Sequence, residues 1–445
     1  MNHPRKFPTW LSTFVFNGAL AGVATAAMVT TGIIPAVQAA LEESPKTVVD
    51  EVWQIVNNEF VGISADFDME GWQETRQDLL ARDYSSSQEA YSAIRQALRE
   101  LNDPYTRFLD PGEYAQLANQ TSGELSGVGL QLTVDEATSA LKVIRPIPDS
   151  PASAAGIQAG DRILRIDDRP TSLLGAEDAI DLLGGAEGTK VRLQLVRPNQ
   201  GLYEVELIRA QIEVPVLHSA LQEEGELRVG YMRLDEFSSH AAEQMAAAIE
   251  DLESQNIDGY VLDLRGNPGG LLFASVDIAR MWLETGTIVS TVDRRGGDRQ
   301  YSANRTAITD LPLVVLIDGY SASASEILAG ALKDNDRATL VGSRTYGKGT
   351  VQSVHHLSDD SGLAVTISRY YPPSGISINQ HGIAPDIVFD LSRDQQRLLR
   401  RNPSLQGTDR DPQYRRAIAT LKAEISGQVM VPALPEPIQV SNNRN

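Results

Sequence analysis

Two glycine-rich segments carry the residues that could do chemistry. Residues 319–326 place three serines among small residues, and residues 345–352 hold a lysine between Gly347 and Gly349. The chain has 32 Arg but only 7 Lys, so a lysine between two glycines indicates a specific role for its amine. A buried lysine can lose its proton near neutral pH, which an arginine cannot. Such an amine could activate a serine hydroxyl, so the two segments predict serine–lysine catalysis.

Other catalytic signatures fail on their spacing. The chain has no Cys, and its six His form no HExxH or other metal-ligand pattern. Residues 319–323 lack the final glycine of the G-x-S-x-G elbow. One S-x-x-K motif runs from Ser139 to Lys142, but the flanking residues 130–134 and 143–145 alternate like two strands of a hairpin. We predict only a turn there.

Local chemistry does not choose among Ser321, Ser323 and Ser325, which alternate with alanines. Residues 319–352, together with the LRGNPGG segment at 264–270, resemble the carboxyl-terminal processing, or tail-specific, serine proteases. In that family the nucleophile lies 25 residues before the base, which implies Ser323 as nucleophile and Lys348 as base. The resemblance further implies that Gln352 orients the lysine amine.

The oxyanion of an acyl transfer needs two preorganised N–H donors. The amide of Ala324 would lie at the start of a helix, where the peptide dipoles favour negative charge. The resemblance implies Gly269 as the second donor. Asp334 matches an acidic residue of some relatives, and the alternative is a structural role, such as positioning Arg337.

The N-terminus has the composition of an export signal. Arg5 and Lys6 precede an uncharged stretch up to Ala40 that ends in small residues, so residues 1–40 are predicted to be a signal peptide cleaved near Ala39. If retained, the stretch is long enough to anchor the chain in a membrane. The full chain carries a net charge of −20, which argues against nucleic-acid binding.

Residues 41–120 show helical periodicity and predict a small helical cap or arm. The segment at residues 103–109, DPYTRFL, breaks this pattern and resembles a segment that the family carries before its binding module; the alternative is a capped loop. Residues 121–214 are rich in short strands, and the segments GVGL (127–130) and 150–166 resemble a PDZ domain. That resemblance implies that Gly127, Val128, Gly129 and Leu130 bind the terminal carboxylate of a substrate tail. Residues 176–183 would form the helix beside the peptide groove.

Residues 215–392 are predicted to be the catalytic core. Strands at 229–234, 260–264 and 313–317, with a helix between the first two, indicate an α/β sheet. Further strands are expected at 363–371 and 376–378, and the family implies a crotonase-like core. Residues 393–445 predict a helix near 415–422 followed by a disordered tail. The predicted fold class is therefore a multidomain α/β protein with a helical N-terminal segment and a PDZ domain.

Taken together, the sequence predicts an exported serine endopeptidase that cuts protein substrates near their C-termini after its PDZ domain captures the tail. No metal or cofactor is expected. Residues 44–60 are similar to the cyanobacterial and plastid branch, which implies the periplasm or thylakoid lumen and includes the enzyme that processes a photosystem II reaction-centre precursor. The alternatives are a non-catalytic PDZ adaptor and a crotonase-like enzyme acting on thioesters.

Overall fold

The structure is a computed structural model that describes residues 44–62, 68–135, 140–174, 176–198 and 200–427. The predicted signal segment and the tail beyond residue 427 lie outside the described residues, as does Ser139. None of the described helices combines the length and the apolarity needed to cross a bilayer. Separate apolar cores lie under the N-terminal helices, in the β-rich middle region and in the region predicted to be catalytic.

The N-terminal region consists of helices packed on a strand of the catalytic region. Its helices are α1 (Pro45–Glu59), α2 (Met69–Ala81), α3 (Ser87–Arg99) and α4 (Pro111–Ser122). Between α3 and α4 lies β1 (Arg107–Leu109), which pairs antiparallel with a strand at 362–371. Apolar residues at helical spacing, such as Val48, Val52 and Val56, bury one face of α1 against the neighbouring helices. This region is therefore continuous with the catalytic region rather than a separate arm.

The middle region contains a mainly antiparallel sheet with one helix beside its edge. Its strands and helices are β2 (Glu124–Gly127), β3 (Leu130–Val134), β4 (Leu141–Pro146), α5 (Pro151–Ala154), β5 (Arg162–Ile166), β6 (Arg169–Pro170), α6 (Ala176–Leu183), β7 (Lys190–Arg197), β8 (Gly201–Ile208) and β9 (Ala210–Glu213). The main sheet has the order β3-β4-β5-β7-β8, so β3 is an edge strand. Strands β2 and β9 pair only with each other and connect this region to the rest of the described chain.

The catalytic region is built on a six-stranded sheet of order β10-β11-β12-β15-β16-β19. These strands are β10 (Leu217–Glu224), β11 (Leu227–Leu234), β12 (Gly259–Asp263), β15 (Leu313–Ile317), β16 (Thr339–Gly342) and β19 (Ile387–Val388). Only β10 runs antiparallel to its neighbour. Every residue of β12 and β15 is buried, as expected for parallel strands covered on both faces.

Helices cover both faces of this sheet. On one face lie α7 (Ala241–Ser254), α8 (Leu272–Trp282) and α9 (Ala324–Asp334), and on the other lies α11 (Pro412–Ile425). A second, antiparallel sheet contains β1, β13 (Thr287–Asp293), β14 (Asp298–Ser302), β17 (Thr350–His356) and β18 (Gly362–Tyr371). The exposed helix α10 (Arg393–Arg401) precedes α11.

Most of the predicted elements are present. Strands β3 and β4 pair antiparallel, as predicted for the segments that flank the S-x-x-K motif, and α6 coincides with the predicted groove helix. The strand predicted at 376–378 is wrong: these residues are irregular, and the residues that follow, 379–382, pass close to the backbone of Gly347 and Gly349. Helix α10 was not predicted, because its residues are almost all polar and leave a single buried position, Leu399.

Candidate active site

Ser323 lies at a sharp turn between β15 and α9. The side chain of Asp318, just after β15, accepts hydrogen bonds from the amides of Gly266, Tyr320 and Ser321 at 2.9–3.1 Å. Ser323 then has φ 53° and ψ −109°, a conformation that costs a non-glycine residue about 1–3 kcal/mol. Its side chain is buried, with 2 % exposure. The strand, the turn and the helix therefore hold a strained serine at the carboxyl end of a parallel strand.

The other two serines of the segment have structural partners. The Ser321 hydroxyl donates to the carbonyl of Leu264 at 2.8 Å, and the Ser325 hydroxyl donates to the carbonyl of Asn267 at 3.0 Å. Both bonds attach this turn to the turn that follows β12. This distinction, which local sequence did not provide, favours Ser323 as the nucleophile.

Glu326 links the serine turn to the lysine loop. Its buried carboxylate accepts the amide of Ser323 at 2.8 Å and the amide of Lys348 at 2.9 Å on one oxygen. The other oxygen accepts the Thr345 hydroxyl at 2.6 Å and the Gly347 amide at 2.7 Å. Burial raises the pKa of Glu326 to about 7, while these four donors favour the carboxylate. Glu326 therefore fixes the relative position of the two backbone segments.

Lys348 follows a glycine that the loop requires. Gly347 has φ +94°, and a Cβ there would lie 2.9 Å from the backbone nitrogens of His381 and Gly382. The Lys348 side chain is 3 % exposed, and its Nζ has no hydrogen-bond partner among the described residues. Burial, together with the charge of Arg107, lowers the pKa of Lys348 to about 7, although Asp103 and Glu326 act in the opposite direction. The amine can therefore be neutral at physiological pH, as a general base must be.

Gln352 is buried on β17, close to the lysine loop. Its Nε2 donates to the hydroxyls of Thr350 at 3.0 Å and Thr366 at 3.2 Å. Its Oε1 has no hydrogen-bond partner within the described part of the chain. Thus the structure holds both an unpaired amine on Lys348 and an unpaired acceptor on Gln352, without the hydrogen bond between them that the resemblance implies.

The two expected oxyanion donors lie on adjacent turns. The Gly269 amide donates to Oδ1 of Asn267 at 2.8 Å, so it is engaged in this structure. Ala324 is the first residue of α9, where backbone N–H groups have no intrahelical partner. The carbonyl of Asn267 accepts the Ala322 amide at 3.0 Å, which ties the two turns together.

A buried ion-pair network is centred on Arg265, which lies in the same turn as Gly269. Arg265 contacts the carboxylates of both Asp263 and Asp411, and all three side chains are at most 6 % exposed. The Tyr231 hydroxyl donates to Asp263 at 2.8 Å. Asp411 also caps α11 by accepting the amides of Gln413 and Tyr414. The C-terminal helix is therefore connected directly to the turn after β12.

Asp334 does not join the site residues through any contact that the structure gives. It is exposed at the end of α9, where its Oδ2 accepts the Ser374 amide at 2.9 Å. Arg337, its suggested partner, donates instead to the carbonyls of Trp282, Thr309 and Leu311. These contacts favour a structural role for Asp334 in anchoring the loop at 374.

The predicted tail-binding residues lie between the edge strand β3 and the end of α6. Gly127 forms an isolated bridge with Gly184, just after α6. The carbonyls of Val128 and Gly129 accept the amides of Ala152 and Ile147, both at 2.9 Å. Leu130 begins β3, whose free edge could pair with an extended peptide.

Two residues of the site were missed by sequence reasoning. Glu326 stands three residues after Ser323, a spacing typical of a helix capping box, so its pattern predicted only a helix start. Tyr105 belongs to the 103–109 segment, which the sequence allowed to be read as a loop, yet its ring centroid lies 4.6 Å from Nζ of Lys348. No local signal connects that segment with the lysine.

A strained serine and a buried lysine, whose backbones bond the same Glu326 carboxylate, have the form of a serine hydrolase site. Comparison with known families identifies residues 228–389 as peptidase family S41 and residues 142–197 as a PDZ domain. The chain belongs to the carboxyl-terminal-processing proteases of that family, and it is a serine protease.

The similarity extends over most of the chain. It is 43 % identical to the carboxyl-terminal-processing protease of Picosynechococcus over 83 % of this chain and 88 % of the relative. It is 39 % identical to carboxyl-terminal-processing peptidase 3, chloroplastic, of Arabidopsis thaliana, over 76 % of this chain and 67 % of the relative. The solved structure of a photosystem II D1 C-terminal processing protease is 35 % identical, with a TM-score of 0.51 over 83 % of this chain and 99 % of that chain.

Proposed function

We propose that the chain is an exported endopeptidase in which Ser323 and Lys348 form a catalytic dyad. The observation that carries the proposal is the Glu326 carboxylate, which holds the backbone of both residues while the lysine amine stays buried and without a hydrogen bond. That arrangement serves a base that must be neutral and close to a serine.

In the proposed reaction the neutral amine of Lys348 takes the proton of the Ser323 hydroxyl as its oxygen attacks the scissile carbonyl. The amides of Gly269 and Ala324 stabilise the oxyanion, after the Gly269 amide has left Asn267. The lysine then gives its proton to the leaving amine, and the acyl-enzyme remains. A water molecule then attacks the acyl-enzyme while the same amine takes its proton, and the ammonium returns that proton to the Ser323 oxygen as the ester bond breaks and the new C-terminus is released. Gln352 would accept a hydrogen bond from the amine through its unpaired Oε1.

The experiment compares the mature chain with Ser323→Ala and Lys348→Ala on an unstructured protein that has a free apolar C-terminus. Mass spectrometry identifies the products. We expect wild type to cut near the tail and both variants to be inert. If Lys348→Ala cuts as well as wild type, the base is misassigned. If nothing cuts while the tail still binds, the chain is an adaptor.

The PDZ domain is proposed to control access to this site. Strands β2 and β9 connect it to the catalytic region, and His240 lies 3.2 Å from a carboxylate oxygen of Glu124 on β2 and 3.8 Å from one of Glu213 on β9. Binding of a tail would move the PDZ domain and admit the substrate. Deletion of residues 123–213 should abolish the preference for free over amidated tails. An unchanged preference and rate would refute this control.

The substrate is proposed to be the precursor of a photosystem II reaction-centre protein in the thylakoid lumen. The proposal is supported by the chloroplast relatives and by the named solved structure that the chain resembles. Incubation with that precursor and with unrelated unfolded proteins tests it. A single cut that yields the mature C-terminus, at least tenfold faster than cutting of the unrelated chains, is expected. Equal rates would indicate a protease of broad specificity instead.

A further inference from the structure

The amine of Lys348 contacts an aromatic ring from the N-terminal region. Its Nζ lies 4.6 Å from the centroid of Tyr105, within the distance at which a cation is attracted by the face of a ring. No hydrogen bond from Nζ to Ser323 or to Gln352 competes with this contact. The ring is thus in direct contact with the amine and favours its ammonium form, as the charges of Asp103 and Glu326 also do.

The position of the Tyr105 ring is fixed on both sides. Asp103, which is buried, accepts the Tyr105 amide at 3.1 Å and the Thr106 hydroxyl at 2.7 Å. The Thr106 hydroxyl in turn accepts the amide of Thr366, the residue paired with Gln352 across β17 and β18. The Tyr105 hydroxyl hydrogen-bonds the side chain of Tyr346, two residues before the lysine. Both ends of the ring are therefore anchored next to Lys348.

We propose that Tyr105 is a positioning residue whose ring holds the Lys348 ammonium in the resting enzyme and releases it once the amine has lost its proton. A cation is attracted by the ring quadrupole, whereas a neutral amine is not attracted in this way. Deprotonation therefore removes the attraction between the amine and the ring, and it also provides the lone pair that accepts the proton of the Ser323 hydroxyl. This inference rests on the proposed role of Lys348 as base.

Several other groups act on the same amine and must stay constant in the test. They are Arg107 and Asp103 of the N-terminal region and Glu326 on α9. Two tyrosine side chains must also keep their positions: Tyr346, which hydrogen-bonds Tyr105, and Tyr370. Tyr370 lies within hydrogen-bond distance of the carbonyls of both Ser323 and Lys348. Substitutions at Tyr105 leave all these charges in place.

The test measures the protonation of Lys348 directly. With only seven lysines, ¹³C-lysine labelling gives few side-chain resonances, and Lys348→Met identifies the one that belongs to the site. Tyr105→Phe retains the ring, whereas Tyr105→Leu replaces it with an apolar side chain that still excludes water. We expect Tyr105→Phe to titrate like wild type and Tyr105→Leu to lose its proton about half to one pH unit lower.

The acid limb of kcat/KM should move by the same amount in Tyr105→Leu and stay in place in Tyr105→Phe. Tyr91→Leu is the matched control, because Tyr91 is a buried tyrosine of the same region that packs on Phe108 and donates to Asp359. It should lower stability without moving the Lys348 titration. Tyr105→Met replaces Tyr105→Leu if the leucine variant does not fold.

An unchanged or raised Lys348 titration in Tyr105→Leu or Tyr105→Met would overturn the inference. A shift in Tyr91→Leu equal to that in Tyr105→Leu would overturn it as well, since any loosening of the region would then suffice. Failure of the catalytic proposal looks different: Lys348→Ala would remain active, while the resonance measurement would still report on the contact with the ring.

Discussion

Replacement of Glu326 by glutamine should disable the site while preserving the size of the side chain. The carboxylate accepts four hydrogen bonds, two on each oxygen. Glutamine replaces one of these oxygens with an NH₂ group, which cannot accept the two hydrogen bonds that the oxygen accepted. The Thr345 hydroxyl accepts the Ile383 amide at 2.6 Å, so its own proton points to Glu326. The less costly orientation places the NH₂ against Thr345 and leaves the Gly347 amide without an acceptor.

The size of the effect follows from these contacts. One buried unsatisfied amide costs about 1–3 kcal/mol, and loss of the charge weakens the remaining bonds, so we expect Glu326→Gln to lower the free energy of unfolding by about 2–4 kcal/mol. The amides of Ser323 and Lys348 share one carboxylate oxygen, so the substitution also loosens nucleophile and base relative to each other. A displacement of about 1 Å can reduce the rate about 100-fold. We therefore expect kcat/KM to fall at least 100-fold.

Urea unfolding and peptide cleavage measure the two effects separately. Glu424→Gln is the matched control, because Glu424 lies exposed on α11, on the other face of the sheet, where it accepts the Thr339 hydroxyl. It should change kcat/KM less than twofold. If Glu326→Gln retains wild-type stability and activity, then the carboxylate does not hold the two segments together and the reasoning is refuted.

Four further predictions concern the site and the residues around it. The kcat/KM of wild type should rise as the pH increases through about 7, because Lys348 must lose its proton, and a flat profile between pH 6 and 8 would exclude it as base. Folding lowers the pKa of Lys348 from 10.5 to about 7, so burying the protonated amine destabilises the folded state fully below pH 7 and progressively less as the pH rises to 10.5. Lys348→Met should therefore raise the free energy of unfolding by roughly 3–5 kcal/mol at pH 6 and by little at pH 10. Asp334→Asn should alter kcat/KM less than threefold in the peptide assay, whereas Asp411→Asn should cost about 3–5 kcal/mol in urea unfolding, because it leaves the buried Arg265 with one carboxylate.

The fold could be predicted from sequence wherever periodicity or a local turn specifies it. Strands β12 and β15 are of this kind, because each is a short, largely apolar run, and so is α6, whose apolar residues recur at helical spacing between Gly175 and Gly184. The loop at 376–378 shows the limit. Its isoleucines alternate like a strand, but the residues directly after it, 379–382, pack closely on Gly347 and Gly349 and bond the lysine loop, so the chain follows that loop instead of joining a sheet.

The site residues likewise divide into those that the sequence could predict and those that it could not. Ser323, Lys348 and Gln352 could be proposed because their spacing resembles a family. The contacts in the structure distinguish the three serines, because the Ser321 and Ser325 hydroxyls bond the turn after β12 and Ser323 does not share this role. The sequence could not show these contacts, since they join segments that are far apart along the chain. Tyr105 could not be found at all, since nothing in its own segment refers to the lysine.

The structure also explains why the proposed site needs substrate to complete it. The Gly269 amide is occupied by Asn267, the Lys348 amine lies against Tyr105, and Oε1 of Gln352 is unpaired. Each group must change its partner before the dyad and the oxyanion donors act together. A ligand can shift such an equilibrium only by the difference in its affinity for the two arrangements. A short peptide that binds only in the cleft should have similar affinities for the two arrangements, whereas a tail that also binds the PDZ edge strand should have a larger difference in affinity. Tail capture should therefore raise kcat as well as lower KM, and a tail that changes KM alone would show that the rearrangement is not coupled to the PDZ domain.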